Sequence, residues 1–442
     1  MKTKNIFWKV FLGIFLSFVI FNNKIFAKEN LENNKISSIE LHCNSGIAMD
    51  FNTGNILYNN NCTKKIFPAS TTKILTCIVA LENLELDDTT VISKKVIQNT
   101  PLDSSVMGIK AGELYTIEEL LYGLMLPSGN DAALAIAEAV SGSTSKFVEL
   151  MNQKAIEIGC NESNFVNPHG YHDDNHYSTA YDMAMIFRYC LQNDSFKEII
   201  STKEITIKAA NSGNELKLVN SNRMLNENYT KTYYEYMKGG KTGYTLEARG
   251  TFIGYGIKND NIVIAAAFDG SQNINGLQGR FLDTKTLLNY SFDNYSKKII
   301  IDSNDYIFNI YDEKNRKHYV LKLENDVYGL TNEIPNIEYS LNIDQNKIDD
   351  ILEKNNEIYL NKIVGTIDFK YNFKNNIILT SNISNTQNLI IIDVLNYIPK
   401  STIYNIIFIS TLSIFLLISF LFILLYIKKT FTKKSCNIQI IN

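Results

Sequence analysis

The chain has 442 residues, 45% of them apolar and 20% charged, which is enough to bury two or three cores and excludes a disordered polypeptide. Its 43 basic residues against 46 acidic ones give a net charge of -3, so no basic field for nucleic acid exists. Cysteines at 43, 62, 77, 160, 190 and 436 are too few for a disulfide scaffold and lack the close spacing of a zinc site.

The first element reads as an export signal over residues 1–27: Lys2, Lys4 and Lys9 precede an apolar run from Val10 to Phe21, and Ala27 is a small residue suited to cleavage. The only tryptophan, Trp8, lies within it. Next, "SGIAMDFNTGNILYNNN" alternates around Asn52-Thr53-Gly54, the pattern of a hairpin. With Asp50 paired to Asn55, Cys43 falls opposite Cys62, a register in which a disulfide could form. A shift of one residue would separate them.

A helix begins near Ser70, and "TIEELLYGLML" is a second, with Thr116 and Glu119 as its capping box. "DAALAIAEAV" and "YSTAYDMAMIFRYCL" continue the helical run, strands return in "TFIGYGI" and "NIVIAAAF", and a helix from about Leu282 to Tyr295 closes the region. Strands at both ends with helices between them indicate an α+β domain over residues 38–297, its antiparallel sheet completed by late strands pairing with the first hairpin.

From 298 to 396 the pattern changes to short strands separated by Asn and Asp turns, a small all-β domain. In "KIVGTIDFKYNF", Ile363, Ile367, Phe369, Tyr371 and Phe373 share one face, while Thr366, Asp368, Lys370 and Asn372 share the other. Residues 406–427 carry no charge and are long enough to span a bilayer as a single helix. Lys428, Lys429, Lys433 and Lys434 follow and assign residues 428–442 to the cytoplasm, leaving the preceding domains outside.

Three short motifs carry chemistry. Ser70 and Lys73, three apart at a helix start, share a face, so the lysine can take the proton of the serine hydroxyl if burial lowers its pKa. In "LMLPSGNDAAL", Pro127 ends one helix and Asn130 or Asp131 can cap the next, leaving Ser128 and Asn130 to project from the break. In "MKGGKTGYTLEARG", Lys241 and Thr242 can bind a carboxylate, and Gly243 lets a ligand backbone approach.

Ser-x-x-Lys, Ser-x-Asn and Lys-Thr-Gly in this order are the motif set of the penicillin-recognising serine enzymes. The chain resembles that superfamily and, more narrowly, the low-molecular-mass penicillin-binding proteins that are D-alanyl-D-alanine carboxypeptidases. "NPHGYHDDNHYSTAYDMA" and "LVNSNRML" also look like stretches of that family, and the resemblance covers about residues 38 to 427.

It implies a β-lactamase/DD-peptidase-like catalytic fold and a set of roles. Ser70 attacks the carbonyl of the penultimate D-alanine of a peptidoglycan stem peptide, with Lys73 as general base. The N–H groups of Ser70 and Tyr244 hold the oxyanion, and Ser128 and Lys241 relay a proton to the leaving D-alanine. Asn130 holds the substrate amide, Thr242 and Gly243 complete the strand site, and Arg280 receives the terminal carboxylate. β-Lactams would acylate the same serine, and neither cofactor nor metal is called for. His169, His172 and His176 are accordingly read as loop structure.

One departure from the family is Arg249 in "LEARG", beside positions where small residues are usual. Two rival readings are a class A-like β-lactamase and a non-catalytic penicillin-sensing or wall-binding membrane protein. The first lacks a Glu-x-x-Leu-Asn stretch between Ser128 and Lys241, and the second lacks a substantial cytoplasmic output.

Overall fold

The structure is a computed structural model that describes residues 39–270, 278–305, 307–312, 317–344, 363–372 and 384–396. The expected signal peptide and membrane span both lie outside these residues. Among the described residues no helix is long and apolar enough to cross a membrane.

The alternating stretch around Asn52-Thr53-Gly54 forms β1 (Cys43–Asp50) and β2 (Ile56–Asn60). Gly54 takes φ 70° in the turn, and the Asp50 carboxylate ties it by accepting from the Thr53 backbone N–H at 2.9 Å and its hydroxyl at 2.6 Å. Three late strands, β3 (Met237–Thr245), β4 (Arg249–Lys258) and β5 (Asn261–Gly270), complete an antiparallel sheet in the order β2-β1-β5-β4-β3. β5 lies centrally and is covered on both faces, which explains its nearly unbroken apolar run from Val263 to Phe268. β3 ends the sheet, so one rank of its backbone N–H and C=O groups has no partner strand.

The helices of eight or more residues are α1 (Lys73–Leu81), α2 (Ile117–Met125), α3 (Asn130–Ser141), α4 (Thr144–Ile158), α5 (Ala180–Cys190), α6 (Asp194–Ser201) and α7 (Gly279–Asn294). α1 is buried from Lys73 to Ala80, as a helix through a domain centre must be, and packs against α2, α3, α4 and α5. The capping box at the start of α2 is complete: Glu119 N–H donates to the Thr116 hydroxyl and Thr116 N–H to the Glu119 carboxylate. α7 packs against β4 and β5, with Phe281 edge-on to Phe252.

The hairpin register corrects the disulfide expectation. Asp50 N–H does donate to Asn55 O at 2.8 Å, and Met49 lies opposite Ile56. An irregularity between Ala48 and Met49 then moves the pairing by one residue, to Ala48 with Tyr58 and Gly46 with Asn60. That shift carries Cys43 and Cys62 out of opposition, and both thiols are free and buried. Cys43 pairs with Gly270 of β5, whereas Cys62 joins the apolar core among the helices.

Beyond α7 come β6 (Ser296–Ile301), β7 (Ile307–Asp312), β8 (Lys317–Leu323), β9 (Val327–Thr331), β10 (Asn336–Ile343), β11 (Ile363–Asn372) and β12 (Ser384–Asn396). β6 pairs with β9, and the others form a sheet in the order β7-β8-β12-β11-β10. In β11, Ile367, Phe369 and Tyr371 are buried while Thr366, Asp368 and Lys370 are not, although Ile363 at the strand start is exposed. This β-rich region abuts the first hairpin. Asn55 Nδ2 donates to Leu330 O at 3.0 Å, and a Cβ on Gly329 would sit 2.5 Å from Thr53, so glycine is needed for the approach.

Candidate active site

Ser70 lies in a 3-10 turn, Ala69–Thr72, that leads directly into α1, so it precedes the α-helix instead of sitting within it. In a 3-10 turn side chains three apart eclipse, which places Lys73 Nζ 3.0 Å from Ser70 Oγ. Ala69 enters the turn at φ 49°, a left-handed conformation that costs roughly 1 kcal/mol for a residue with a Cβ. Gly170 packs against this turn so closely that a Cβ there would collide with Ala69 O.

Lys73 is completely buried. Besides Ser70 Oγ, its Nζ has two partners, Asn130 Oδ1 at 2.6 Å and the His169 carbonyl at 2.7 Å. Burial, and next the charge of Lys241, hold its pKa well below the ordinary lysine value; Asp131 opposes them.

Ser128 and Asn130 come from the break between α2 and α3. Neither Asn130 nor Asp131 caps α3: the capping residue is Gly129, whose Cβ would lie 2.8 Å from both Gly123 O and Met107 N. Asp131 is instead an anchor, accepting from the backbone N–H groups of Met107, Gly108 and Ile109 at 2.7, 2.8 and 3.3 Å. It thereby fixes the neighbouring loop, whose Ser105 carbonyl accepts from Asn130 N–H at 2.8 Å. Ser128 sits at φ 69°, with its buried hydroxyl lacking any hydrogen-bond partner.

On the opposite wall, β3 supplies Lys241, buried and donating to Thr242 O at 3.0 Å. Burial, and secondly the Arg280 guanidinium, bring its pKa down to about 7. The Thr242 hydroxyl is 2.6 Å from that of Ser221. Glycine at 243 also meets a packing need: a Cβ there would lie 2.3 Å from Thr251 Oγ1 and 2.8 Å from Ser70 N. Its bare α-carbon makes room for the Ser70 turn while Gly243 still borders the cleft.

Tyr244 is half exposed on the edge strand. Arg280 reaches the same place from α7, where Nη1 donates to Gly243 O and to Thr251 O, while Nε and Nη2 both donate to Gln278 Oε1. One N–H therefore braces β3, one braces β4 and two hold Gln278, leaving one on Nη2 for a ligand.

These parts enclose a cleft of about 700 Å³ lined by Ser70, Ser128, Asn130, Thr242, Gly243, Tyr244 and Arg280. Lys73 and Lys241 lie behind that lining. All nine residues singled out in the sequence thus converge on one place. Sequence reasoning missed the His169 carbonyl and the Ser221 hydroxyl, although both belong to stretches whose family resemblance was noted.

His169 Nδ1 accepts from Tyr171 N–H at 3.1 Å, and its pKa is lowered to about 3 by burial and then by Lys73. His176 Nδ1 accepts from Val166 N–H, so its other nitrogen donates to the Thr72 hydroxyl at 2.8 Å. Both histidines stay neutral and organise the loop. Among the described residues no group of three or more His, Cys, Asp or Glu is placed to hold a metal ion.

A serine hydroxyl facing a buried lysine, with a second buried lysine and an unpartnered serine across an open strand edge, defines the serine–lysine class of acyl-transfer sites. The sequence profile of the D-alanyl-D-alanine carboxypeptidase family, peptidase S11, matches residues 32–272. D-alanyl-D-alanine carboxypeptidase DacF of Bacillus subtilis is 30% identical over 319 residues, covering 72% of this chain and 78% of that protein. DacB2 of Mycobacterium tuberculosis is 33% identical over 226 residues, covering 51% and 74%.

Among solved structures, a D-alanyl-D-alanine carboxypeptidase from Mycobacterium tuberculosis matches with TM-score 0.52 at 30% identity, over 58% of this chain and 94% of that one. A variant of the Streptomyces K15 DD-transpeptidase matches with TM-score 0.53 at 28% identity, over 58% and 100%. The chain belongs to the D-alanyl-D-alanine carboxypeptidase family and is a serine-type peptidase.

Proposed function

We propose that this protein removes the terminal D-alanine from peptidoglycan stem peptides through an acyl-enzyme on Ser70, and that β-lactams acylate the same oxygen. The observation that carries this reading is the set of partners around Lys73 Nζ. Once the amine is neutral it has two hydrogens, and two of its neighbours, Asn130 Oδ1 and the His169 carbonyl, can only accept. The lone pair is left facing the third neighbour, Ser70 Oγ, where a general base is needed.

As Oγ bonds to the carbonyl carbon of the penultimate D-alanine, its proton passes to Lys73. The N–H groups of Ser70 and Tyr244 stabilise the resulting oxyanion. Collapse breaks the C–N bond, and Ser128 with Lys241 delivers a proton to the departing nitrogen. Ser128 Oγ suits this role because no protein group occupies it. Water then hydrolyses the ester. Asn130 holds the substrate amide, and Thr242 with Arg280 binds the terminal carboxylate.

Export by residues 1–27 and a tether at 406–427 would hold the enzyme on the outer face of the membrane, beside its substrate. The test is covalent labelling with a fluorescent penicillin alongside D-alanine release from a pentapeptide stem. Ser70→Ala should abolish both in a folded protein. Labelling that persists at the wild-type rate would place the nucleophile elsewhere.

A further inference from the structure

Arg280 reaches the cleft from the first turn of α7, and two side chains decide how it arrives there. Asp283 fixes the backbone: it is buried, and its carboxylate accepts from Cys43 N–H at 2.6 Å and lies 2.8 Å from His42 Nδ1, tying α7 to the start of β1. Gln278 fixes the side chain. Its Oε1 accepts from Arg280 Nε at 3.1 Å and from Nη2 at 2.7 Å, while Nη1 on the other edge donates to the Gly243 and Thr251 carbonyls. A planar group held along two edges cannot swivel, so the one free N–H, on Nη2, keeps a single direction beside the cleft that Arg280 lines.

The three acceptors differ in kind. Gly243 O and Thr251 O are backbone groups that any residue at those positions would supply, whereas Gln278 Oε1 depends on the residue type. All three are neutral, so among the described residues no hydrogen bond to a carboxylate compensates the guanidinium. Burial, and next the charge of Arg223, bring the Arg280 pKa down to about 10, as expected of a cation without a counter-ion. Gln278 moreover occupies the Nε and Nη2 edge, which a carboxylate grips with both oxygens. A glutamate there would satisfy the same N–H groups and cancel the charge. Glutamine satisfies them and leaves it.

We propose that Gln278 is a positioning residue for carboxylate recognition: it holds the Arg280 guanidinium in one plane and, being neutral, reserves its charge for the terminal carboxylate of the substrate. This inference rests on the carboxypeptidase reading above. Gln278 touches no substrate and acts through Arg280 alone.

The experiment measures release of D-alanine or D-alaninamide by the full chain from an N-acetylated tripeptide ending in D-alanyl-D-alanine and from its C-terminal amide. The ratio of the two kcat/KM values is taken on each enzyme separately, so a general structural loss cancels. Gln278→Leu removes the acceptor and should lower the preference for the free acid by about 3- to 10-fold. Gln278→Glu keeps the acceptor but neutralises the cation, and should lower the preference further, by about 10- to 100-fold, at an unchanged melting temperature. In an Arg280→Ala background neither substitution should move the ratio, because the residue they act through is gone. A ratio that stays at the wild-type value in both single variants overturns the positioning role, as does one that rises in Gln278→Leu or that still falls in the Arg280→Ala background; each of these leaves the carboxypeptidase reading standing. Release from neither peptide by wild type overturns that reading and the role of Gln278 with it.

Discussion

Lys73 and Lys241 stand on opposite walls of one cleft and are equally buried, but the walls hold them differently. On the helical wall, Lys73 has a backbone carbonyl, an amide oxygen and the Ser70 hydroxyl arranged around its nitrogen. On the strand wall, Lys241 has one hydrogen-bond partner, Thr242 O, and is repelled by the Arg280 guanidinium. Burial lowers both pKa values. The first wall fixes the direction of a lone pair, while the second leaves an ammonium group short of partners that an anionic ligand can supply.

The comparison breaks most visibly if the helical-wall lysine is removed. Lys73→Ala should slow acylation by fluorescent penicillin by about 10³-fold without unfolding the protein. A labelling rate within tenfold of wild type would mean that another group takes the Ser70 proton.

Next in size is the strand wall's carboxylate recognition. Arg280→Ala should lower kcat/KM on a D-alanyl-D-alanine peptide by roughly 30-fold to 1000-fold, and by much less when the terminal carboxylate is amidated. Some loss on the amidated peptide is expected, because Arg280 also braces β3 through Gly243 O and β4 through Thr251 O. Equal losses on both substrates would make bracing its whole role.

A smaller effect concerns pH. If Lys241 works as the ammonium form, kcat/KM of the free enzyme should decline above about pH 7, where its pKa lies. Arg280→Gln removes a like charge, so the ammonium becomes easier to keep and the declining limb should move to higher pH. A limb that stays in place would separate Lys241 from the proton relay.

The smallest effect is on stability. The Lys241 pKa is about 7 in the folded protein against an ordinary 10.5. Between those values the unfolded chain binds the extra proton, so wild-type stability rises with pH across this window. Lys241→Met removes the buried charge and should raise the melting temperature by a few degrees below pH 7, a gain that fades toward pH 10.5. A melting temperature lowered at acid pH would show that Lys241 is stabilised in the fold by partners other than Thr242 O.

The site was legible in the sequence because its residues sit in short motifs whose side-chain types have few structural uses in combination. The elements around it were legible where apolar spacing was dense, as in α1 and α3. α4 escaped because it buries only Phe147, Met151 and Ala155, a thin stripe in an otherwise polar helix. α6 escaped because its eight residues bury only Phe196, Ile199 and Ile200. Backbone contributions were harder still to read: the His169 carbonyl has no side-chain signature, and Gly129 caps α3 where side-chain chemistry alone favours Asn130 or Asp131. The irregularity at Ala48 likewise depends on how the hairpin packs against β5, which alternation alone does not encode.

That irregularity has a practical outcome. It keeps Cys43 and Cys62 apart, and these two with Cys77, Cys160 and Cys190 are free and buried, burial raising the pKa of every one and that of Cys62 to about 11. A thiol that is buried and protonated reacts with alkylating reagents only when its segment opens. The molecule therefore carries its own conformational clock: Cys43 beside β5, Cys62 after the hairpin, and Cys77, Cys160 and Cys190 among the helices report separate openings. Pulsed alkylation read by mass spectrometry would time each one, and would show whether β-lactam acylation slows them together or only near the nucleophile turn.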